Sequence, residues 1–172
     1  KLPNIYISVI KAVLGFRLSN AIENQFQYSH LTRNIGKLMS VEKSFETMIN
    51  PRFCETDALA HISNTVLPIW FEHARDPLCK AIHPSMTVDD WPMIVARISV
   101  DYIAQVFVQN PVKIITSVSK VGNKSFTLNQ KAYQLDKLVC SGECVIVYFD
   151  YKNQKTIPIP DTPRKFLEER LI

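Results

Sequence analysis

The chain has 172 residues, of which 47% are hydrophobic and 21% are charged, proportions typical of a globular domain that is long enough to bury a core. No run of about 20 apolar residues is available to cross a bilayer, and the most apolar segment, 5–16, contains Lys11 and lacks a cleavage site for secretion. The net charge of +4 arises within residues 1–38, which carry five basic residues and one acidic residue. Because no basic cluster with interleaved aromatic residues occurs, a nucleic-acid partner is not expected.

The four cysteines indicate free thiols and a cytoplasmic protein. Cys140 and Cys144 lie four positions apart on one predicted strand, which places them about 13 Å apart and beyond the reach of a disulfide. No CxxC pair is present, and the four histidines show no ligand spacing with the cysteines. A zinc site is therefore not expected.

Composition divides the chain into an extension, 1–38, and one domain, 39–172. The apolar residues of 5–16 recur at roughly helical intervals. A short helix packed on its own domain is the favoured interpretation, and a helix that binds a partner or a membrane surface is the alternative.

The domain begins with a predicted strand over 44–53 and a predicted helix within 64–82. Ser63 or Asn64 is the expected N-cap, and apolar residues around most of the circumference predict a helix buried on several sides. Pro77 would break or kink this helix, or Asp76 would cap a second short helix that begins at Pro77.

Strands then follow one another. Alternation of apolar and polar residues predicts strands over 94–102, Val112–Val121, 125–133 and 137–149, with a hairpin at 122–124. Gly142, in the middle of the last strand, suggests a bend or a close backbone approach. A terminal helix is expected from Asp161 to near Leu171. One helix and consecutive antiparallel strands predict an α+β fold in which a curved sheet wraps around the helix.

Residues 52–75 join the end of a strand, a loop that carries Asp57 and a helix that begins near Asn64. A helix start offers free backbone N–H groups and a positive dipole end, which polarise a carbonyl or stabilise an oxyanion. A carboxylate on the adjoining loop can attack that carbonyl or activate a water molecule. Thioesters suit this arrangement because a thiolate leaves readily.

The same segment resembles the hydroxybenzoyl-CoA thioesterase-like branch of the hotdog superfamily. The matching positions are Arg52, Phe53, Glu55, Thr56, Asp57, His61, Ile62, Asn64, Phe71, Glu72, Ala74 and Arg75. The resemblance extends more loosely over residues 42–172. It implies an α+β hotdog fold and an acyl-CoA thioesterase without metal or cofactor, assembled as a homodimer or a dimer of dimers with sites at the subunit interface.

Site residues follow from the resemblance. It implies that Asp57 is the nucleophile or general base and that a backbone amide near Asn64 polarises the thioester carbonyl. It also implies that the hairpin residues Asn123, Lys124 and Ser125 bind CoA, with Lys124 on a phosphate.

Several residues admit a plainer interpretation. His61 could act as a base, but a loop histidine that orients the backbone is favoured. Glu72 is expected to form a salt bridge on the helix, and Lys124 could simply be solvated. The chain departs from the family pattern at Ala60, which replaces a glycine, and at Leu67, which replaces a tyrosine and precedes Pro68.

Two alternatives to a thioesterase remain at this stage. One is a hydratase or dehydratase of the same fold that uses His61 with an acid. The other is an acyl-CoA-binding protein without catalytic activity, which the departures at Ala60 and Leu67 keep open.

Overall fold

A computed structural model describes residues 43–172 of the chain. The predicted helix within 5–16 and the domain boundary after residue 38 lie outside the described residues. The elements are β1 (Ser44–Ile49), a 3-10 helix (Phe53–Glu55), α1 (Val66–Ile82), β2 (Met93–Tyr102), β3 (Val112–Val121), β4 (Ser125–Gln134), β5 (Lys137–Asp150), β6 (Lys155–Thr156) and α2 (Asp161–Glu169).

The strands form one antiparallel sheet in the order β1-β3-β4-β5-β2, and β6 adds to β5. Short turns join β3 to β4 and β4 to β5. The second turn uses Leu135 and Asp136, both at positive φ, as two-residue hairpins require. The predicted antiparallel sheet and α+β class are confirmed.

Helix α1 buries one face against the sheet rather than most of its circumference. Its buried face comprises Leu67, Trp70, Phe71, Ala74, Arg75, Leu78, Cys79 and Ile82. Ile69 is 61% exposed, and Glu72 is exposed without an ion pair among the described residues. The expectation of burial on several sides was therefore wrong, and the expected Glu72 salt bridge is not formed within residues 43–172. No helix in 43–172 is long and apolar enough to span a bilayer.

Two local expectations for α1 were also wrong. The N-cap is Thr65, because the Ser63 carbonyl accepts the Val66 N–H at 3.0 Å and completes a turn before the helix begins. Pro77 does not break the helix and no second helix begins there, since α1 runs through it. A kink at Pro77 stays a prediction. Pro77 lies on the exposed side, where the carbonyl that loses its N–H partner can be hydrated.

Strand β1 ends at Ile49, four residues earlier than predicted. Ile49 pairs with Val112, the first residue of β3, so the partner strand supplies no further pairing. Pro51 also has no N–H for a ladder, and the chain turns into the 3-10 helix that precedes Asp57.

Of the bend and the close backbone approach suggested at Gly142, the structure shows a close approach, by the Phe71 ring and the Ser99 backbone. A Cβ at this position would lie 2.7 Å from Cε2 of Phe71 and 3.0 Å from the Ser99 carbonyl oxygen. Only glycine therefore lets α1 sit this close to the sheet.

Candidate active site

Asp57 lies on a tight loop whose two ends are joined by backbone hydrogen bonds. Thr56 and Ile62 form an antiparallel bridge, and the Asp57 N–H donates to the His61 carbonyl at 2.8 Å. Ala60 turns the chain at φ 63°, a left-handed conformation that favours glycine. The family's glycine at this position therefore has a conformational reason, and Ala60 keeps the same turn at some cost in strain.

The Asp57 carboxylate is oriented by its own loop. Its Oδ1 accepts the N–H groups of Leu59 at 2.8 Å and His61 at 3.2 Å. Its Oδ2 has no hydrogen-bond partner among residues 43–172. One oxygen is thus fixed, and the other remains available on an exposed residue.

The residue that precedes the N-cap of α1 offers a backbone donor. The Asn64 N–H donates to no acceptor in the described part of the chain. The Asn64 carbonyl accepts the Tyr102 hydroxyl at 2.7 Å. Burial raises the pKa of Tyr102, with a further contribution from Cys140, so this phenol remains a donor at neutral pH.

A cavity of about 240 Å³ opens at the junction of the loop and the helix. Its polar lining residues are Asp57, His61, Asn64, Tyr102 and Gln105, and its apolar lining residues are Ile62, Leu67, Ala104, Val106, Val139 and Cys140. A lining that combines a few polar residues with apolar ones is typical of a site that orients a largely apolar ligand.

Cys140 belongs to the wall of this cavity rather than to its chemistry. Burial raises the pKa of the Cys140 thiol to about 11, with a smaller contribution from Asp101. A thiol is a poor nucleophile while it is protonated. All four cysteines are free, as the sequence predicted.

His61 joins the loop to a neighbouring segment. It forms an isolated backbone bridge with Phe107, and its ring meets the Phe107 ring edge-on with centroids 5.2 Å apart. These contacts join His61 to the Phe107 segment, and His61 also lines the cavity.

The predicted CoA-binding hairpin lies at the other end of the sheet. The Asp57 loop sits where β4 ends, because Gln134 accepts the N–H of Phe107, the residue paired with His61. The hairpin lies beyond Val121, so the length of β3, about 30 Å, separates the two within one chain. Asp57, His61 and Asn64 come together, whereas Asn123, Lys124 and Ser125 form a separate group.

This hairpin is held by contacts with β6 and α2. The Lys124 ammonium donates to the Thr156 carbonyl at 3.3 Å and to its hydroxyl at 3.2 Å. Arg164, which sequence reasoning missed, donates to the carbonyls of Gly122 and Asn123 at 3.0 and 2.8 Å. The hairpin end therefore carries two cations. Residues 43–172 contain no cluster of His, Cys, Asp or Glu that could hold a metal.

Sequence reasoning also missed Tyr102, Gln105 and the wall residues of the cavity. The alternation of β2 placed Ile98, Val100 and Tyr102 on one face, which could have identified Tyr102 as facing the helix. The contact between Tyr102 and Asn64 spans 38 positions, and no local pattern predicts it.

A curved antiparallel sheet around one helix, with an acid on the loop before that helix, defines the class of hotdog-fold thioesterases. The sequence model of the Thioesterase-like superfamily matches residues 51–168. The chain therefore belongs to this superfamily.

Three similar proteins illustrate the match. A predicted thioesterase from Bacillus stearothermophilus is 34% identical with a TM-score of 0.73, and the match covers 75% of this chain and 97% of that one. The uncharacterized protein YsmA of Bacillus subtilis (strain 168) is 28% identical over 125 residues, which are 72% of this chain and 85% of that protein. A thioesterase from Thermus thermophilus, complexed with coenzyme A and Zn, is 22% identical with a TM-score of 0.67, covering 73% of this chain and 92% of that one.

Proposed function

We propose that this chain hydrolyses an acyl-CoA thioester to the free acid and CoA, with Asp57 as nucleophile or general base. The observation that carries the proposal is that Asp57 and Asn64 line one cavity just before the start of a helix. Thioester hydrolysis requires an acidic side chain and a hydrogen-bond donor for the thioester carbonyl, beside a pocket for the acyl group.

The thioester carbonyl is polarised by the Asn64 N–H, which has no other acceptor among the described residues. Asn64 directly precedes the N-cap Thr65, so its N–H lies near the positive end of the helix dipole. Its contribution grows as negative charge develops on the carbonyl oxygen, and donors of this kind are worth about 3–4 kcal/mol in transition-state stabilisation. Tyr102 holds the adjoining peptide through the Asn64 carbonyl.

Two routes are open to Asp57. As a general base it takes a proton from water, the water oxygen bonds to the carbonyl carbon, and the C–S bond breaks to release CoA thiolate. As a nucleophile it bonds to the carbonyl carbon through Oδ2 and expels CoA thiolate, and water then hydrolyses the acyl–aspartyl anhydride. In both routes the thiolate takes up a proton in solution, and the products are the acid and CoA.

His61 contributes to this site through the loop. Its N–H donates to Asp57 Oδ1, while its ring packs against Phe107. The acyl group packs against the apolar lining residues of the cavity, which include Val106 and Val139.

CoA is the proposed carrier because the Thermus relative of the same fold is complexed with coenzyme A. Asn123, Lys124 and Ser125 bind the nucleotide end of CoA, with Lys124 and the neighbouring Arg164 as the phosphate contacts. Two cations close together suit a polyphosphate.

The distance between this hairpin and Asp57 favours a site shared by two subunits. The edge strand β2 exposes Ile94, Val95, Ile98 and Tyr102 and pairs only with β5 among the described strands. An exposed apolar edge strand is a surface for pairing with another chain. We therefore propose a homodimer in which two β2 strands pair antiparallel, with a dimer of dimers as a further possibility.

Such pairing brings the separated residues together. Tyr102 ends β2 beside the Asp57 cavity, whereas Ile94 shares a row with Val147 and Ser125 at the hairpin end. A two-fold axis through β2 places the hairpin end of one subunit beside the cavity of the other. Each site would then combine Asp57 of one subunit with Lys124 of its partner.

The reaction is tested by thiol release from a panel of acyl-CoAs of varied chain length, including an aromatic one. Wild type should hydrolyse at least one member, and Asp57→Asn should lose that activity. Binding without turnover would instead indicate a non-catalytic acyl-CoA-binding protein. Hydration of an enoyl-CoA that His61→Asn abolishes would indicate the hydratase alternative.

The shared site is tested by mixing two defective proteins, Asp57→Asn and Lys124→Ala. In a mixed dimer, one site carries both substitutions and the other carries neither, so activity should return on mixing and subunit exchange. If Asp57 and Lys124 served one site within a single chain, mixing would restore nothing. Full activity of Lys124→Ala alone would remove Lys124 from the CoA site.

The catalytic domain is proposed to span residues 39–172, with residues 1–38 outside it. The protein is proposed to act in the cytoplasm without a cofactor. The four free thiols are consistent with a reducing compartment.

A further inference from the structure

A buried carboxylate precedes the proposed catalytic aspartate by two residues. Glu55 is 8% exposed and accepts three hydrogen bonds. The Arg52 backbone N–H donates to its Oε2 at 2.7 Å, and the Arg52 guanidinium donates to its Oε1 at 2.8 Å. The Trp70 indole N–H donates to the same Oε1 at 3.2 Å. The chemistry proposed for Asp57 makes no use of this carboxylate.

The backbone of Glu55 closes the loop that carries Asp57. Its carbonyl accepts the Ser63 N–H at 2.9 Å, and its own N–H donates to the Arg52 carbonyl at 3.0 Å. Ser63 directly precedes Asn64, so this backbone pair joins the start of the loop to the residue before the carbonyl donor. The Glu55 side chain adds the connection to the body of α1 through Trp70.

We propose that Glu55 is a positioning residue whose carboxylate, through Trp70, holds the Asp57 loop at a fixed distance from the start of α1. The inference rests on the proposed function, because it assigns importance to the separation between Asp57 and the Asn64 N–H. A shift of about 1 Å in such a separation can lower a rate by about 100-fold.

The buried charge is maintained by its partners. Burial alone would raise the pKa of Glu55, but the hydrogen bonds from Arg52 and Trp70 outweigh it and hold the pKa below its ordinary value. Glu55 is therefore ionised at neutral pH.

The two partners are not equivalent. The Arg52 side chain is 72% exposed, so water screens its attraction for Glu55. Trp70 is 4% exposed, and it is the partner that lies on α1. The connection from Glu55 to Trp70 is therefore the one that ties the loop to the helix.

The test compares kcat and KM for Glu55→Gln, Trp70→Phe and the double variant. Glu55→Gln keeps the shape but turns one acceptor into an amide donor, and Trp70→Phe removes the indole donor while it leaves a ring in the core. Each single variant should lower kcat by about 10- to 100-fold and change KM by less than about threefold. The double variant should be no worse than the poorer single variant, because both act through one connection. Glu46→Gln, an exposed carboxylate on β1, is the matched control and should behave as wild type.

Folding is monitored by circular dichroism, and the Glu55 contact by the Trp70 indole N–H resonance, with Trp91 as the internal reference. The Trp70 resonance should move in Glu55→Gln and stay in place in Asp57→Asn. If Glu55→Gln does not fold, Trp70→Phe decides the outcome alone. Folded variants with the kcat of wild type would overturn the positioning role. Absence of hydrolysis by wild type would instead contradict the proposed function, so the two failures are distinguishable.

Discussion

The contact between Gly142 and Phe71 gives a quantitative prediction for the packing that supports the site. In Gly142→Ala, the new Cβ would lie 2.7 and 3.0 Å from two Phe71 ring carbons and 3.0 Å from the Ser99 carbonyl oxygen. Phe71 is buried at 1% exposure, and the Ser99 oxygen belongs to the neighbouring strand. Neither neighbour can move freely, so the sheet and helix must separate slightly.

The expected loss is about 2 kcal/mol of the free energy of unfolding. Overpacking a close-packed core costs up to about 3 kcal/mol, and replacing glycine with alanine in a strand returns about 0.5–1 kcal/mol of backbone entropy. For about 130 residues, the unfolding entropy is about 0.27 kcal/mol/K, so Tm should fall by about 7 °C. Thermal unfolding followed by circular dichroism measures this shift.

Phe71→Leu tests the stated cause. In that background Gly142→Ala should cost at least about 1 kcal/mol less, because the ring atoms that the Cβ meets are gone. Gly122→Ala is the matched control, since its Cβ would meet Ser125 at 3.2 Å on a surface turn, and it should cost less. A Gly142→Ala protein that melts at or above the wild-type Tm would refute the packing argument.

Three further predictions follow from the site and the core. Ala60→Gly should raise the free energy of unfolding by about 0.5–1 kcal/mol, because it relieves the left-handed φ at a smaller cost in glycine entropy; a lower Tm would contradict this. Ala104→Phe fills part of the cavity and should shift the substrate preference of the protein toward shorter acyl chains. The expected change in kcat/KM is about fourfold for each methylene group that is displaced. An unchanged preference over a series of acyl-CoAs would exclude Ala104 from the acyl pocket. Burial raises the pKa of Cys79 and Cys140 to about 11 from 9.0, so the unfolded state releases these protons at a lower pH than the folded state. The urea midpoint of unfolding should therefore fall as pH rises from 9 to 11. An equal fall of the midpoint with pH in the wild type and in the variant with alanine at both positions would contradict this prediction.

The sequence predicted the fold because local patterns dictate most of it. Strands β2 to β5 show alternation, and the short turns between β3, β4 and β5 allow only antiparallel neighbours. Gly142 indicated a bend or a close approach because a glycine within a long apolar strand is typical of these two features. The end of β1 was less predictable, since it depends on where the partner strand β3 begins.

The helix shows where local reasoning fails. Propensity indicated that Pro77 would interrupt α1, but tertiary packing overrides the loss of one hydrogen bond at an exposed position. Ser63 was a reasonable N-cap by residue type, yet its carbonyl and hydroxyl are used by the turn that precedes the helix.

The proximity of the candidate site residues was predictable where they are local in sequence. Asp57, His61 and Asn64 lie within eight positions, and the structure brings them to one cavity. The contacts that hold them are remote, since Tyr102 reaches Asn64 across 38 positions and Trp70 reaches Glu55 across 15. Their role depends on how the strand and helix pack, which no spacing rule encodes.

The central claim is that the Asp57 carboxylate carries out thioester hydrolysis. The most direct test is kcat/KM on the best acyl-CoA of the panel for wild type, Asp57→Asn and the exposed control Asp89→Asn. The asparagine keeps an oxygen for the N–H groups of Leu59 and His61, so the loop should survive while the chemistry is lost. Asp57→Asn should lose at least about 100-fold in kcat/KM and Asp89→Asn should lose none, whereas full activity of a folded Asp57→Asn protein would contradict the proposed role of Asp57.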